Sequence, residues 1–409
     1  MPAFPWASDS PAAAEHADLS LDANDQAAMQ TFLKRLVQTP SHSTHEGQVA
    51  QLIVDELASF GMTDVTVDRA GNVIARLGSG NGPTLLYDAH MDTVEPTGAG
   101  WLYDPYSAEV REEVLYGLGA CDMKGSIAAL VYAAKRLIQT DTRLNGTLLL
   151  TFVVQQEPCE GCGVQALLNE MDIKPDYVLL GEPSNMQIMR GHRGRVMFKV
   201  DVQGRSAHAS NPKQGHNAIT DAARLIFGLD LLTADLPVDP FLGPGTMAVT
   251  HIESHAPGLN AVPDSCTFYV DRRLTLGETP TRAQIQIDSV IEREGIKASV
   301  EVLNYQAASY TGEVLKIQEA FPAWALDKEH PLIGQLRQVV EVVCGNSPSV
   351  GHWPFSTDGV HTMGELGIPT VGFGPGNPQL AHTSEEHMHL KDVVEAAHVY
   401  ALFAARLLS

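Results

Sequence analysis

The sequence predicts an α/β protein, in which a domain with a mixed sheet flanked by helices carries a smaller, inserted α+β domain. Through about residue 181, short apolar runs alternate with segments whose apolar residues recur at helical spacing. Strand-like segments then dominate from 191 to 306, and helical spacing returns after 307. A chain of 409 residues is long enough to bury two separate cores.

The first half of the chain supplies most elements of the larger domain, to which we assign 24–190 and 307–409. Residues 1–23 are acidic and rich in proline and alanine, so we expect a mobile or loosely docked arm. Helical spacing is found in segments 26–36, 47–60 and 126–137. Short apolar runs typical of buried strands are 85–90, 147–154 and 177–180.

The inserted segment, 191–306, has its own pattern of elements. Its strand-like runs are 196–202, 246–252, 267–271 and 298–303. Its helical segments are 216–232 and 281–294. After the insert, a short strand near 370 and helical segments 331–344 and 390–408 complete the larger domain.

The apolar run at 85–94 (LLYDAHMDTV) ends in a histidine and an aspartate two residues apart. Side chains alternate along a strand, so His90 and Asp92 leave its end side by side. A neutral imidazole beside a carboxylate that can orient it is half of a metal site. We therefore take His90 as a candidate ligand and Asp92 as the residue that orients it.

Four further candidate ligands lie at strand ends or in the adjoining loops. Asp122 lies in a glycine-containing loop (YGLGACDMKG), and Glu157 and Glu182 each follow an apolar run. His382 comes after a short strand that breaks into a Gly/Pro loop. In open α/β sheets, ligands bind beyond the carboxyl ends of the strands, where distant residues converge. We expect these side chains to meet there.

These five residues supply the ligands that two divalent ions would need. Two ions roughly 3.5 to 4 Å apart can share a bridging carboxylate. Asp122 suits the bridge, with His90 and Glu182 on one ion and Glu157 and His382 on the other. Imidazole combined with carboxylate favours zinc, and the same ligands accept cobalt or manganese.

The order of these motifs resembles a known enzyme family. H-x-D, then G-x-x-D-x-K-G, an acidic pair after a strand, E-P-[ST] and a late A-H are similar to the di-zinc amidohydrolases and peptidases. That family includes acetylornithine deacetylase, succinyl-diaminopimelate desuccinylase, aminoacylase and a glutamate carboxypeptidase. The resemblance runs from about residue 24 to the C-terminus. It implies that the larger domain is catalytic and that 191–306 is a dimerisation or lid domain.

The resemblance also implies three substrate-binding residues in the insert. His208, in GRSAHAS, resembles a histidine that reaches across a homodimer into the partner's active site. Asn260 and Arg273 resemble residues that hold the substrate carbonyl and carboxylate, and a guanidinium matches a carboxylate with two hydrogen bonds. Other interpretations stay open: an ion pair of Arg273 with Asp271, a turn role for Asn260, and a solvated loop for His208.

One position departs from the family pattern. Where the family has two adjacent glutamates, a general base and then a ligand, this chain reads Gln156-Glu157. A neutral amide cannot take a proton from water, and general-base catalysis contributes about 10² to 10⁴ in rate. Three explanations compete: an engineered Glu-to-Gln change, a natural loss of activity, or a shifted register in which Glu157 is the base and Glu160 a ligand. We favour the first two, because the third requires a bulge at Pro158-Cys159.

Composition restricts the class of partner. Lys+Arg number 27 against Asp+Glu 49, a net charge of -22, and no basic stripe is present, so nucleic acid is excluded as a partner. No apolar run reaches the length of a membrane span and the N-terminus lacks a secretory pattern, so we expect a cytoplasmic protein with no membrane partner. Five cysteines indicate reduced thiols, and Cys159-x-x-Cys162 has no second pair to complete a zinc site.

Together these observations predict a metal-dependent hydrolase of an amide bond in a small substrate with a free carboxylate, such as an N-acyl or N-carbamoyl amino acid or a dipeptide. The alternative, which Gln156 favours, is a catalytically silent metal-binding or ligand-binding protein on the same fold. The motifs leave open the acyl group and the side chain of the substrate.

Overall fold

Helices and strands alternate along the residues that this computed structural model describes, 18–96 and 98–409. The helices are α1 (Ala23–Gln38), α2 (Gly47–Ser59), α3 (Gly125–Gln139), α4 (Cys162–Met171), α5 (Ala218–Leu232), α6 (Pro280–Glu294), α7 (Pro331–Cys344) and α8 (Leu390–Leu408). None of these described helices is both long and apolar enough to cross a membrane.

The strands fall into one large sheet, a smaller second sheet and several short pairings. In the first half of the chain they are β1 (Val65–Val67), β2 (Val73–Gly78), β3 (Thr84–His90), β4 (Glu109–Arg111), β5 (Val114–Tyr116), β6 (Thr147–Val153), β7 (Tyr177–Leu180), β8 (Ile188–His192) and β9 (Gly194–Gln203). In the second half they are β10 (Val238–Asp239), β11 (Gly243–Pro244), β12 (Thr246–His255), β13 (Ser265–Leu274), β14 (Ala298–Val302), β15 (Asn304–Ala308), β16 (Val314–Gln318), β17 (Ala320–Phe321), β18 (Trp324–Ala325), β19 (Val350–Trp353), β20 (Thr370–Gly372) and β21 (His387–His389).

The large sheet is mixed, as predicted, and has the strand order β1-β2-β6-β3-β7-β20-β8-β18, with β19 paired on β8. Strands β6, β3, β7 and β20 run parallel to one another. Strands β3 and β6 are buried along almost their whole length, which explains why their sequences are continuous apolar runs. Because the four strands are parallel, their carboxyl ends meet at one edge of the sheet.

Helices α3 and α8 pack against each other and against this sheet in the main core. Leu19 and Leu21, which the sequence assigned to the N-terminal arm, are only 2% and 4% exposed and belong to the same core. The last residues of the predicted arm are therefore packed rather than loosely docked. The rest of that arm, residues 1–17, lies outside the described residues.

The second sheet confirms the predicted α+β character of the inserted segment. Its order is β12-β13-β9-β14, with β17 also paired on β9, and all its pairings are antiparallel. Burial alternates along β9 and β13, and the buried face packs against α5 and α6 in a core of its own. The boundaries 191–306 remain a proposal, and β17 lies beyond them in the chain.

Candidate functional site

The candidate ligands lie at the carboxyl edge of the four parallel strands. His90 is the last residue of β3, Glu157 follows β6 by four residues, and Glu182 follows β7 by two. His382 lies in the loop between β20 and β21, where its backbone is in the left-handed region with φ 61°. The left-handed conformation costs free energy in any residue that has a β-carbon, and residues in this conformation are frequent at functional sites.

A first group of donors consists of His90, Asp122 and Glu182, whose ligand atoms lie within 4.8 Å of one another. Nε2 of His90 is 3.0 Å from Oδ1 of Asp122. Nδ1 of His90 is 2.9 Å from the backbone carbonyl of Asp92, which can only accept, so Nδ1 carries the proton. The lone pair of Nε2 is thereby directed to the carboxylates, as in metal-binding histidines.

A second group consists of Asp122, Glu157 and His382, also within 4.8 Å. Nε2 of His382 is 2.8 Å from Oε2 of Glu157 and 3.5 Å from Oδ2 of Asp122. Asp122 therefore turns Oδ1 to the first group and Oδ2 to the second. This is the arrangement required of a carboxylate that bridges two ions.

The charges and the unpartnered atoms of these groups fit divalent cations. Burial and the charge of Asp122 raise the pKa of Glu157, and burial raises the pKa of Glu182 well above its usual value. Hydrogen bonds to Asp122 and Glu157 raise the pKa of His382 to about 11. Oε1 of Glu157 is buried without a hydrogen-bond partner among the described residues. Carboxylates gathered at this density need compensating positive charge, which two cations supply.

The structure places Asp92 beside His90, and the orienting role of its carboxylate stays a prediction. Oδ1 of the Asp92 carboxylate is 3.6 Å from Nδ1 of His90, and the backbone carbonyl of Asp92 is the nearer acceptor at 2.9 Å. The carboxylate accepts hydrogen bonds from the backbone N–H groups of Gln156 and Glu157, at 3.0 and 3.1 Å, and from the hydroxyl of Ser43 at 2.7 Å. Asp92 therefore fixes the loop that carries Glu157, because a carboxylate has acceptors for several donors at once.

Gln156 is buried beside the first group. Its Nε2 donates a hydrogen bond to Oε1 of Glu182 at 3.1 Å. Glu160, the ligand of the shifted register, instead accepts hydrogen bonds from Arg195 and Ser356 through Oε1, and it belongs to neither donor group in the described chain. This geometry favours the register in which Glu157 is the ligand and position 156 is that of the base.

A pocket of about 270 Å³ opens beside both donor groups. Its lining includes Gln156, Glu160, Arg195, Arg273 and Ser356 in addition to the candidate ligands Asp122, Glu157, Glu182 and His382. Arg273 also binds Asp271 through two hydrogen bonds, at 2.7 and 2.9 Å. The ion pair with Asp271 is therefore present, and it orients a guanidinium that also lines the pocket; the binding of a substrate carboxylate by Arg273 stays a prediction.

His208 and Asn260 lie elsewhere, on the exposed surface of the insert. Residues 208 and 261 form an isolated β-bridge, and the N–H of Ala209 donates to the carbonyl of Asn260 at 2.8 Å. Neither residue belongs to the pocket lining in the described part of the chain. A single chain therefore brings Arg273 to the pocket but leaves His208 and Asn260 outside it.

Sequence reasoning missed two residues that support the site. Oε1 of Glu386 accepts the N–H groups of Cys121 and Asp122, at 2.9 and 3.1 Å, and so holds the loop of the bridging aspartate. Burial raises the pKa of Glu386 to about 8. Arg195, on β9, reaches the pocket from the insert. Neither residue lies just after an apolar run, so the strand-end pattern that indicated the candidate ligands does not mark either of them.

Comparisons with known proteins agree with this architecture. A sequence model of the family described as Peptidase family M20/M25/M40 matches residues 86–406. The chain is 38% identical to Uncharacterized protein YgeY of Escherichia coli (strain K12), over 92% of this chain and 93% of that protein. It is 28% identical to acetylornithine deacetylase of Vibrio vulnificus (strain CMCP6), over 85% and 88% of the two chains.

Solved structures share the fold. The YXEP protein of Bacillus subtilis, described as a dinuclear metal binding peptidase from the M20 family, superimposes with a TM-score of 0.70 at 16% identity, covering 95% of this chain and 99% of that one. The family match spans most of the chain, and the predicted resemblance is confirmed. The chain belongs to peptidase family M20/M25/M40, a family of metal-dependent hydrolases of amide and peptide bonds.

Proposed function

We propose that this protein hydrolyses an amide bond in a small, carboxylate-bearing substrate with the help of two divalent ions. The observation that carries the proposal is the pair of donor groups that share Asp122 beside a pocket lined by Arg273. The substrates that suit this pocket are N-acyl or N-carbamoyl amino acids and dipeptides. Zinc is the expected metal, with cobalt or manganese as substitutes for the same ligands.

The residues of the two donor groups would hold the metal. His90 and Glu182 would hold one ion, Glu157 and His382 the other, and Asp122 both. When bound, such ions supply the positive charge that polarises the amide carbonyl and makes water more acidic.

Other residues position the substrate and the loop. The guanidinium of Arg273, oriented by Asp271, binds the substrate carboxylate in a bidentate manner. Asp92 keeps the loop of Gln156 and Glu157 in place through two backbone hydrogen bonds. The amide of Gln156 can orient a hydrogen-bonding partner but cannot carry a proton from water to the leaving nitrogen.

Gln156 is also the observation that favours the second candidate function, a silent metal-binding or ligand-binding protein. Gln156→Glu separates the two, because it restores an acid at the base position and replaces none of the five candidate ligands; it removes only the hydrogen bond from Gln156 to Glu182. We expect turnover of N-acyl amino acids to rise by about 10² to 10⁴ with unchanged metal content. Gln165→Glu, the same change on α4, is the control and should leave turnover as it is. No gain in Gln156→Glu would make the silent protein the better interpretation.

We further propose a homodimer built by the insert, in which His208 and Asn260 complete the site of the partner. Strand β12 is an edge strand whose outer side pairs with no other strand of the described chain. On the neighbouring helix α5, Phe227 and Leu231 are 63% and 55% exposed. An open strand edge beside exposed apolar side chains is a surface that a second copy about a two-fold axis can cover.

Subunit complementation tests the dimer. Asp122→Ala removes the bridging carboxylate and His208→Ala removes the contributed histidine, so each variant alone should be inactive. Mixed and refolded in equal amounts in the Gln156→Glu background, they should recover about one quarter of the activity, since half of random dimers are mixed and each has one intact site. No recovery, together with a monomer in analytical ultracentrifugation, would exclude the shared site.

The five cysteines are free thiols in the structure, which supports the proposal of a reducing, cytoplasmic location.

A further inference from the structure

The hairpin of β15 and β16 connects the two cores of the protein. Strand β14 ends at Val302 and β15 begins at Asn304, so the hairpin leaves the second sheet after a single residue. The chain returns to that sheet at β17, which pairs with β9. Between these points, Tyr305, Tyr310 and Leu315 pack in the main core. The hairpin is therefore rooted in the second sheet at both ends and docked on the larger domain.

Two tyrosine hydroxyls fasten this hairpin to different places on the larger domain. The hydroxyl of Tyr310 donates to the backbone carbonyl of Gly71 at 2.8 Å, and a β-carbon on Gly71 would lie 2.4 Å from the tyrosine ring. The hydroxyl of Tyr305 donates to Oε1 of Gln155 at 2.6 Å. Gln155 directly precedes the pair Gln156-Glu157. The second contact therefore reaches the loop that carries the base position and a candidate ligand.

Gln155 is a residue whose conformation its surroundings must fix. Its side chain is completely buried, and its backbone lies in the left-handed region with φ 56°. A residue with a β-carbon stays in that conformation only when the structure around it holds it there. Its N–H donates to Oε1 of Glu46 at 3.1 Å, and its Nε2 has no hydrogen-bond partner among the described residues. The side chain of Gln155 is thus held by the hydroxyl of Tyr305.

The two residues after Gln155 are held from the other side of the loop. The carboxylate of Asp92 accepts their backbone N–H groups, at 3.0 and 3.1 Å. Loss of the Tyr305 hydroxyl would leave a buried carbonyl oxygen without a donor, which is unfavourable, and the loop can relieve it by moving. Such a movement displaces Glu157, whose Oε2 is 2.8 Å from Nε2 of His382 in the second donor group.

We propose that Tyr305 is a positioning residue, which acts through Gln155 to hold Glu157 at the second ion. This inference rests on the proposed function, since it concerns the loop of the same site. Tyr305 does not belong to the pocket lining of the described chain, so it acts without touching the substrate. Because Tyr305 lies three residues beyond the end of β14, it also links this loop to the sheet that carries Arg273.

The zinc affinity of the parent chain tests the proposal without turnover. Titration against a competing chelator gives the two stepwise constants, and we expect Tyr305→Phe to weaken one of them about 10-fold and to leave the other unchanged. In His382→Ala, which lacks the second donor group, the same substitution should change nothing. Tyr132→Phe is the matched control. It removes a hydroxyl that donates to Oε1 of Glu56 at 2.7 Å, and neither residue is a candidate ligand or lines the pocket.

Gln155→Leu identifies the path of the effect. Leucine cannot accept a hydrogen bond, so adding Tyr305→Phe to Gln155→Leu should weaken zinc no further. Turnover gives a second measurement. In the Gln156→Glu background, Tyr305→Phe should lower kcat about 10-fold and change KM by less than about twofold, because the hydroxyl acts on the loop and not on the bound substrate.

The proposal would be overturned by zinc constants of Tyr305→Phe equal to those of the parent, or by a loss that persists in His382→Ala. An equal further loss in the Gln155→Leu background would also overturn it, and the His382→Ala comparison decides the matter where Gln155→Leu does not fold. A Gln156→Glu chain that binds two zinc ions but has no turnover bears on the proposed function alone. A parent chain that binds no zinc would refute both proposals.

Discussion

Acidification should destabilise this protein through His192, a histidine that the fold holds neutral. His192 is fully buried, and its Nδ1 accepts the backbone N–H of Thr357 at 2.9 Å. Nε2 then carries the proton and donates to the carbonyl of Pro322 at 3.3 Å. A second proton has no place in this arrangement, and burial lowers the pKa of His192 from 6.5 to about 3.

The sign and size of the effect follow from linkage. The folded-state pKa lies below the unfolded one, so the stabilisation is complete above pH 6.5 and is lost as the pH falls toward 3. Between pH 7.5 and pH 5 the unfolded state binds a proton that the folded state does not bind, and this lowers the free energy of unfolding by about 2 kcal/mol. The largest decrease in the free energy of unfolding that this pKa shift can cause is on the order of 5 kcal/mol.

His192→Gln cannot titrate and keeps a donor for Pro322. We expect it to be less stable than the parent at pH 7.5, but to lose about 2 kcal/mol less on going to pH 5. Urea unfolding of metal-free protein at several pH values measures both slopes, and exposed His251→Gln should follow the parent. Parallel pH profiles for the parent and His192→Gln would refute the neutral, buried state of this histidine.

Two further substitutions test the site and the core. Elemental analysis of zinc-loaded protein should give about two ions per chain. Asp122→Ala should lower the occupancy of both metal positions, because its carboxylate faces both donor groups. An unchanged metal content in that variant would contradict the shared site. Gly372→Ala should destabilise by about 1 to 3 kcal/mol or more in urea unfolding, because a β-carbon there would lie 1.8 Å from the ring of Trp353. Gly334→Ala on α7 is the control, since its β-carbon meets nothing within 4 Å and should stabilise the helix by up to about 1 kcal/mol.

The sequence was sufficient to predict the residues that meet at the sheet edge. His90, Glu157 and Glu182 each lie at or just beyond the end of an apolar run, and parallel strands bring their carboxyl ends together. The helices 331–344 and 390–408 were predicted with the ends that the structure has, because their apolar spacing is regular and α7 begins with a proline. The hairpin of β15 and β16 was not predicted, since its exposed residues weaken the apolar pattern.

Contacts across long stretches of sequence were beyond prediction. The hydrogen bond from Cys121 to Glu386 joins residues 265 positions apart, and no local pattern marks either partner. Alternation along a strand predicts that Asp92 lies beside His90, as the structure shows, but it does not predict that the backbone carbonyl of Asp92 is a nearer acceptor than its carboxylate. The register that aligns Arg195 with Arg273 likewise depends on the folded sheet.

The position of β20 between β7 and β8 has a consequence for how the protein is made. A ribosome that has completed Leu180 must synthesise the entire inserted segment before Thr370 emerges, which takes roughly 10 to 40 s at ordinary elongation rates. During that interval one edge of β7 has no partner, and the first donor group can assemble while the second still lacks His382. The nascent chain therefore exposes an apolar strand edge until β20 is made, and the second donor group is complete only after His382 has been synthesised.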